Sequence, residues 1–343
     1  MKKFKKVNKN SLFHKLFIKL CRLFGYEIID QSNFTVPTLN KQLDDSLSTL
    51  GNRSITIPMG FVNITRKVKS LSIILRTCTS VSMLTQSKKR IFEYEKSEYT
   101  LRTINSLIKS INHANEIFKN INLDFIIIDH NSDIKTIDKM KLLLSKENFK
   151  NQIISLETES FIKQINPINE NNKKVSQNQL SNMANIHQSL LLSKKCDDLI
   201  YFVEDDYIHS RDAIKEMILT YEKISSILKK ELILCPTDYP YLYAKSDYSK
   251  IFLGDKKHWR TIEESLCTFL TSKTIIEQYW DILIYWCQFE HYPFEKPLHE
   301  IYKKEYCLSP LPSLAMHCTN INSIFGLSPN FNWNKIWKEN EVI

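Results

Sequence analysis

Three consecutive carboxylates, Glu204, Asp205 and Asp206, follow directly on the apolar run Leu199-Ile-Tyr-Phe-Val203. The run does not alternate, so it reads as a strand buried on both faces. Three adjacent acids repel one another and do not belong in a core. They belong at the strand's exit, facing water or a cation. Side chains alternate along an extended chain, which sends Glu204 and Asp206 one way and Asp205 the other. Two carboxylates about 7 Å apart on one side suit a hard divalent cation that also takes phosphate oxygens. Taken alone, the triplet also fits a loop that caps the helix starting near Ser210, because acids favour a helix N-terminus.

The elements around the triplet favour the cation reading. Leu71-Ser-Ile-Ile-Leu-Arg-Thr77 is a buried strand. Leu123-Asp-Phe-Ile-Ile-Ile-Asp129 is a second, running into His130-Asn-Ser-Asp133. Gln152-Ile-Ile-Ser-Leu156 is a third, shorter one. Between them the spacing predicts helices over 99–111, with Leu101, Ile104, Leu107, Ile108 and Ile111 on one face, and over 134–145 and 181–194. Residues 165–178 are polar enough to be a loop. This alternation predicts an α/β fold, a mostly parallel, Rossmann-like sheet flanked by helices on both faces. Ligands of such sheets sit beyond the carboxyl ends of the strands. Three polar exits therefore converge there: Arg76-Thr77, Asp129–Asp133 and Glu204–Asp206.

Composition excludes several classes. The five glycines, at 25, 51, 60, 254 and 326, are too dispersed for a dinucleotide fingerprint or a phosphate-cradling loop. The net charge of +9 is concentrated at one end: residues 1–22 hold eight Lys/Arg and no acid, which leaves the rest nearly neutral. No nucleic-acid surface is expected across the body. The eight cysteines show no CxxC spacing and read as free thiols of a reducing cytoplasm. Residues 1–25 form a basic amphipathic helix: Leu12, Phe13, Leu16, Phe17, Leu20, Leu23 and Phe24 share a face, and Gly25 ends it. It is too short and too charged to span a bilayer, and suits either an anionic membrane surface at the inner face or packing on the body. Residues 26–69 read as a connecting segment with short strands.

The ordered set of motifs over about 70–210 resembles the GT-A-fold glycosyltransferases of the family 2 type. The strand ending Ile74-Leu-Arg-Thr-Cys78 matches that family's first strand and turn. Ile127-Ile-Asp-His-Asn-Ser-Asp133 matches its second, Met183-Ala-Asn-Ile186 matches a helical segment weakly, and Glu204-Asp-Asp206 matches its DXD metal motif with Glu in the first place. The resemblance implies that residues 70–210 form the nucleotide-sugar-binding half and 211–343 the acceptor half. It implies donor contacts from Arg76, Thr77, Asp129, Asn131, Asp133, Asn185 and Asp205. It implies Mn²⁺ or Mg²⁺ held by Glu204 and Asp206, and His317, in Leu311-Pro-Ser-Leu-Ala-Met-His317, as a further ligand. The implied reaction moves a sugar from a nucleotide-sugar donor to a glycan or lipid-linked acceptor with inversion, as in surface polysaccharide assembly. Such a transfer needs a base for the acceptor hydroxyl. Glu295, in Phe294-Glu-Lys-Pro-Leu-His-Glu300, is the first candidate, with Asp238 and Glu300 as rivals. Trp259 and Arg260 are candidates for stacking a sugar and pairing with phosphate. A nucleotidyltransferase is the rival within the fold, though no Gly-rich loop follows the first strand. A non-catalytic carbohydrate-binding protein with a degenerate metal site is the rival outside it.

Overall fold

The structure is a computed structural model and describes residues 12–26, 28, 53–56, 60–80, 91–244, 248–319 and 323–342. The chain divides into two units, residues 1–66 and 67–343. The first contains α1 (Leu12–Leu23) and an antiparallel hairpin of β1 (Arg53–Thr56) and β2 (Gly60–Asn63). The helix falls where the amphipathic segment is expected. Residues 1–11 of the basic segment lie outside the described residues.

The second unit begins with β3 (Ser70–Thr77), α2 (Lys96–Ile117), β4 (Asn122–Asp129), α3 (Ile134–Leu144) and β5 (Lys150–Ser155). It continues through α4 (Thr158–Ile162), α5 (Gln177–Ser193), β6 (Leu199–Glu204), β7 (Tyr207–His209), α6 (Ala213–Leu228) and β8 (Leu232–Leu234). Then come β9 (Ile251–Leu253), β10 (His258–Thr261), β11 (Phe269–Ser272), α7 (Lys273–Gln278) and α8 (Trp280–Gln288). Last are α9 (Lys296–Lys304), β12 (Tyr306–Leu311), β13 (Ala315–His317) and α10 (Trp333–Glu339).

Nine strands form one sheet of order β5-β4-β3-β6-β11-β8-β12-β10-β9. The β5-β4-β3-β6 part is parallel throughout, as the strand–helix alternation requires. Beyond it β11 runs antiparallel to both neighbours, β12 is parallel to β8, and β10 and β9 are antiparallel additions. His258–Thr261, which carries Trp259 and Arg260, is therefore a strand.

Alternation along the strands builds two cores. Leu71, Ile73 and Leu75 of β3 join Tyr201 and Val203 of β6 under Ile104, Leu107 and Ile111 of α2 and Met217 and Tyr221 of α6. Ile74, Ile200 and Phe202 face the other way, onto Met183, Ile186 and Leu190 of α5 and Leu298 and Ile301 of α9. Both faces are covered, which is why the strands read as unbroken apolar runs. Helix starts are fixed locally: Asp133 accepts from the Thr136 amide at 2.9 Å to open α3, and Ser176 from that of Gln179 at 3.2 Å to open α5.

Near the β9–β10 turn, Glu216 of α6 is 2% exposed and accepts from the backbone amides of Asp255, Lys256 and Lys257 at 3.2, 3.0 and 3.1 Å. Trp259, expected to stack on a sugar, is instead fully buried, and its indole N–H donates to Glu216 at 3.4 Å. Gly254 sits against this clasp. A Cβ there would lie 2.5 Å from both Thr220 Oγ1 and the Trp259 indole nitrogen. Gly254→Ala is expected to destabilise the fold by about 1–3 kcal/mol through overpacking. A urea midpoint equal to that of the parent would reject this close-packing account.

Candidate active site

The carboxyl ends of β3 and β6 open into a cavity of about 410 Å³. Arg76, the penultimate residue of β3, lies beside Glu204, the last of β6, in the parallel register. Its guanidinium is 3.4 Å from the Glu204 carboxylate and donates at 3.0 Å to Asn182 on α5. Glu204 also accepts from Thr268 Oγ1 at 3.3 Å. Asp205 follows in the turn after β6 and faces α2. There its Oδ2 accepts from the Cys78 amide at 3.2 Å and Thr100 Oγ1 at 3.0 Å, and pairs with Lys96 at 3.4 Å. That single oxygen ties the exits of β3 and β6 to the first turn of α2.

Asp206 meets His317 through a separate device. β7 and β13 pair antiparallel with Tyr207 opposite His317, and the Cys318 amide donates to the Asp206 carbonyl at 2.8 Å. The imidazole stacks on Tyr207, centroids 4.5 Å apart and planes 13° from parallel. His317 Nδ1 is 2.7 Å from the Phe325 carbonyl, an acceptor only, so Nδ1 carries the proton. Nε2 is then directed at Asp206 Oδ2, 3.6 Å away. Burial opposes the charge on His317, yet Asp206 and Glu204 outweigh it and raise its pKa. Glu204 is pushed the same way, by burial first and by Asp206, with Arg76 opposing.

Glu295 immediately precedes α9, and its side chain makes no capping bond to that helix. Its carboxylate lines the cavity and accepts from the Cys267 thiol at 3.5 Å. Burial raises its pKa. Four carboxylates thus share one cavity with Arg76, Lys96 and His317. Such a grouping favours a bound cation and, around it, an anionic ligand. Among the described residues no three His, Cys, Asp or Glu side chains form a group that could hold a metal ion.

Other expected positions divide. Arg76, Thr77, Asn185, Glu204, Asp205, Asp206, Glu295 and His317 line the cavity; Asp129, Asn131, Asp133, Asp238 and Glu300 do not. Asp129 instead accepts from Thr77 Oγ1 at 2.7 Å and the Ser132 amide at 3.1 Å, so both its oxygens hold the two exit loops together. Asn131 occupies the left-handed region at φ 53°, and Asp133 caps α3. Asp238 is fully buried, ion-paired with Arg260 and accepting from Tyr243 at 2.5 Å. That pairing removes Asp238 from reach as a base and Arg260 from reach as a phosphate partner. Glu300 lies beyond the first turn of α9.

Several wall residues were not anticipated. Asn178, Ser181 and Asn182 are three of them, and with the expected Asn185 they form one stripe of α5 along the cavity. Their i, i+3, i+4, i+7 spacing places them on one helical face, and it was present in the sequence. Asn185 donates to the Ile128 carbonyl at 3.2 Å, while its buried Oδ1 has no protein partner. His130, Lys96, Phe294 and Phe325 also line the wall, brought in by loops and distant elements.

No family model and no curated protein matches the chain. Among solved structures, S. aureus TarS 1–349 aligns over 62% of this chain and 49% of its own, at 11% identity and a TM-score of 0.36. Apo UDP-glucose pyrophosphorylase aligns over 75% and 96%, at 8% identity and 0.38. Apo mouse xyloside xylosyltransferase 1 aligns over 68% and 76%, at 10% identity and 0.35. The chain thus spans about half the length of the TarS fragment. At these scores the likeness identifies neither a family nor an activity.

Proposed function

We propose that this chain is a GT-A-type, metal-dependent glycosyltransferase. It moves a sugar from a nucleotide-sugar donor to a glycan or lipid-linked acceptor, with inversion, in surface polysaccharide assembly. The observation that carries this reading is the convergence of Glu204, Asp206, His317, Arg76 and Glu295 on one cavity at the carboxyl ends of parallel strands. Its volume of about 410 Å³ is in the range of small-molecule sites.

Asp206 and His317 would hold Mn²⁺ or Mg²⁺, with Glu204 beside them. The residues fit the ion. His317 donates Nδ1–H to a backbone carbonyl, the usual support of a metal-bound imidazole, and turns Nε2 toward Asp206, the other residue that would hold the ion. Ions of this kind take few protein ligands and complete their shell with phosphate oxygens and water. A bound cation supplies Lewis-acid stabilisation of the leaving diphosphate.

The chain's own groups do the rest. Arg76 and Lys96 place fixed positive charge at the wall. The unpaired Oδ1 of Asn185 accepts an N–H or hydroxyl of the donor. Phe294, Leu266 and Phe325 give apolar wall that excludes water. Glu295 takes the proton of the acceptor hydroxyl as that oxygen attacks the anomeric carbon.

A thermal-shift panel of UDP-, GDP-, CMP- and dTDP-sugars, with and without Mn²⁺ or Mg²⁺, tests the reading. One nucleotide class is expected to raise the melting point only with the cation, by about 2.7 kcal/mol of stabilisation at a hundredfold excess over Kd. Asp206→Asn is expected to abolish the cation dependence. No shift with any donor, in a folded sample, would sink the proposal.

A further inference from the structure

Helix α1 carries an apolar face that the cavity chemistry does not use. At about 100° per residue, Leu12, Phe13, Leu16, Phe17, Leu20 and Leu23 fall within an arc of about 140°. All six are exposed, from 49% for Leu20 to 86% for Leu12. The one buried residue of α1, Ile18, points to the other side of the helix. An exposed face of this size on a short helix marks an interaction surface.

The charges say what that surface meets. Lys15, Lys19 and Arg22 flank the arc, and residues 1–22 hold eight Lys/Arg and no acid. A second copy of the helix would bring like charges together with no acid between them. An apolar protein groove leaves the basic flank without a stated counterpart. A bilayer with anionic headgroups satisfies both halves of the helix at once: acyl boundary for the arc, negative charge for the flank. At 12 residues the helix is about 18 Å long, short of the roughly 30 Å hydrocarbon thickness, so it lies in the plane and does not cross. No helix among the described residues is long and apolar enough to cross a membrane.

We infer that α1 is an in-plane anchor on anionic lipid, with its apolar arc at the acyl boundary and Lys15, Lys19 and Arg22 at the headgroups. The inference stands independently of the transfer chemistry.

Co-sedimentation of the full chain with vesicles tests it. Vesicles of phosphatidylcholine alone are compared with vesicles containing phosphatidylglycerol, at low and high salt. Strong partitioning onto the anionic vesicles, weakened by salt, is expected. The triple variant Lys15→Gln, Lys19→Gln, Arg22→Gln is expected to lose about a hundredfold in partitioning. Leu16→Glu with Leu20→Glu, both at exposed positions, is expected to abolish it at an unchanged melting point. Absence of binding to any vesicle overturns the inference. Equal, salt-independent binding to both vesicle types overturns its anionic part. Self-association that Leu16→Glu with Leu20→Glu removes, without vesicle binding, assigns the face to a second copy and overturns it as well.

Discussion

Replacing Glu295 by Gln is expected to lower turnover by about a hundredfold or more while leaving the metal-dependent donor shift intact. The substitution keeps size and hydrogen bonding but cannot take a proton, and a positioned base contributes about 10²–10⁴ in rate. A carboxylate ahead of a helix is often a simple cap. Here the Glu295 side chain makes no cap bond to α9, so that explanation has no contact to rest on. It lies instead in the cavity wall beside the Cys267 thiol. Burial raises its pKa, which sets the sign of a pH effect. The base works ionised, so turnover is expected to rise with pH through a limb lying above the usual value of about 4.3 for a glutamate. In Glu295→Gln that limb is expected to vanish. Single-turnover rates across pH for both proteins decide it: activity within twofold of the parent, with the same limb, would return Glu295 to a structural role.

The part of the site legible in the sequence is the part made by single strands. The run ending at Val203 marked a strand exit, where Glu204 closes β6 beside Arg76 and Asp205, in the turn that follows, meets α2. The same reasoning failed at Asp238, another acid after a buried strand. What separates the two is Arg260, delivered by β10 from 22 residues away, and no local pattern contains that pairing. His258–Thr261 was missed as a strand for the same reason: its main partner, Leu308–Leu311, lies some fifty residues downstream. Trp259 looked like a surface aromatic because the Glu216 clasp and the close approach at Gly254 are tertiary facts. His317 was legible as a candidate, but its meeting with Asp206 depends on the β7–β13 ribbon. The stripe from Asn178 to Asn185 is a different case. Its spacing lay in the sequence, and placing the helix start at Ser181, four residues after the observed Gln177, hid its first member.

The second large effect concerns stability in acid, and it originates in the same ribbon. His209, the last residue of β7, is 1% exposed, with Nε2 2.6 Å from the Tyr201 hydroxyl. Tyr201 is itself fully buried and stays neutral, and the backbone hydrogen bond with Tyr207, which favours the imidazolium, is outweighed by burial. Burial lowers the His209 pKa from 6.5 to about 3. Below pH 6.5 the unfolded chain therefore binds a proton that the folded chain refuses until about pH 3. Stability is complete above pH 6.5 and falls as the pH drops between those values. The loss from this one residue reaches about 2 kcal/mol at pH 5. His317 works in the opposite sense, because its folded pKa is raised and its contribution is lost as the pH increases. A pH profile of the parent alone would mix the two, so the comparison is made with His209→Gln. Glutamine keeps a polar partner for Tyr201 and does not titrate. The variant is expected to start from lower stability at pH 7.5 and to lose about 2 kcal/mol less than the parent between pH 7.5 and 5. Urea midpoints at the two pH values measure this difference. An equal loss in both proteins would mean that the acid sensitivity lies elsewhere and that the ribbon tolerates a charged His209.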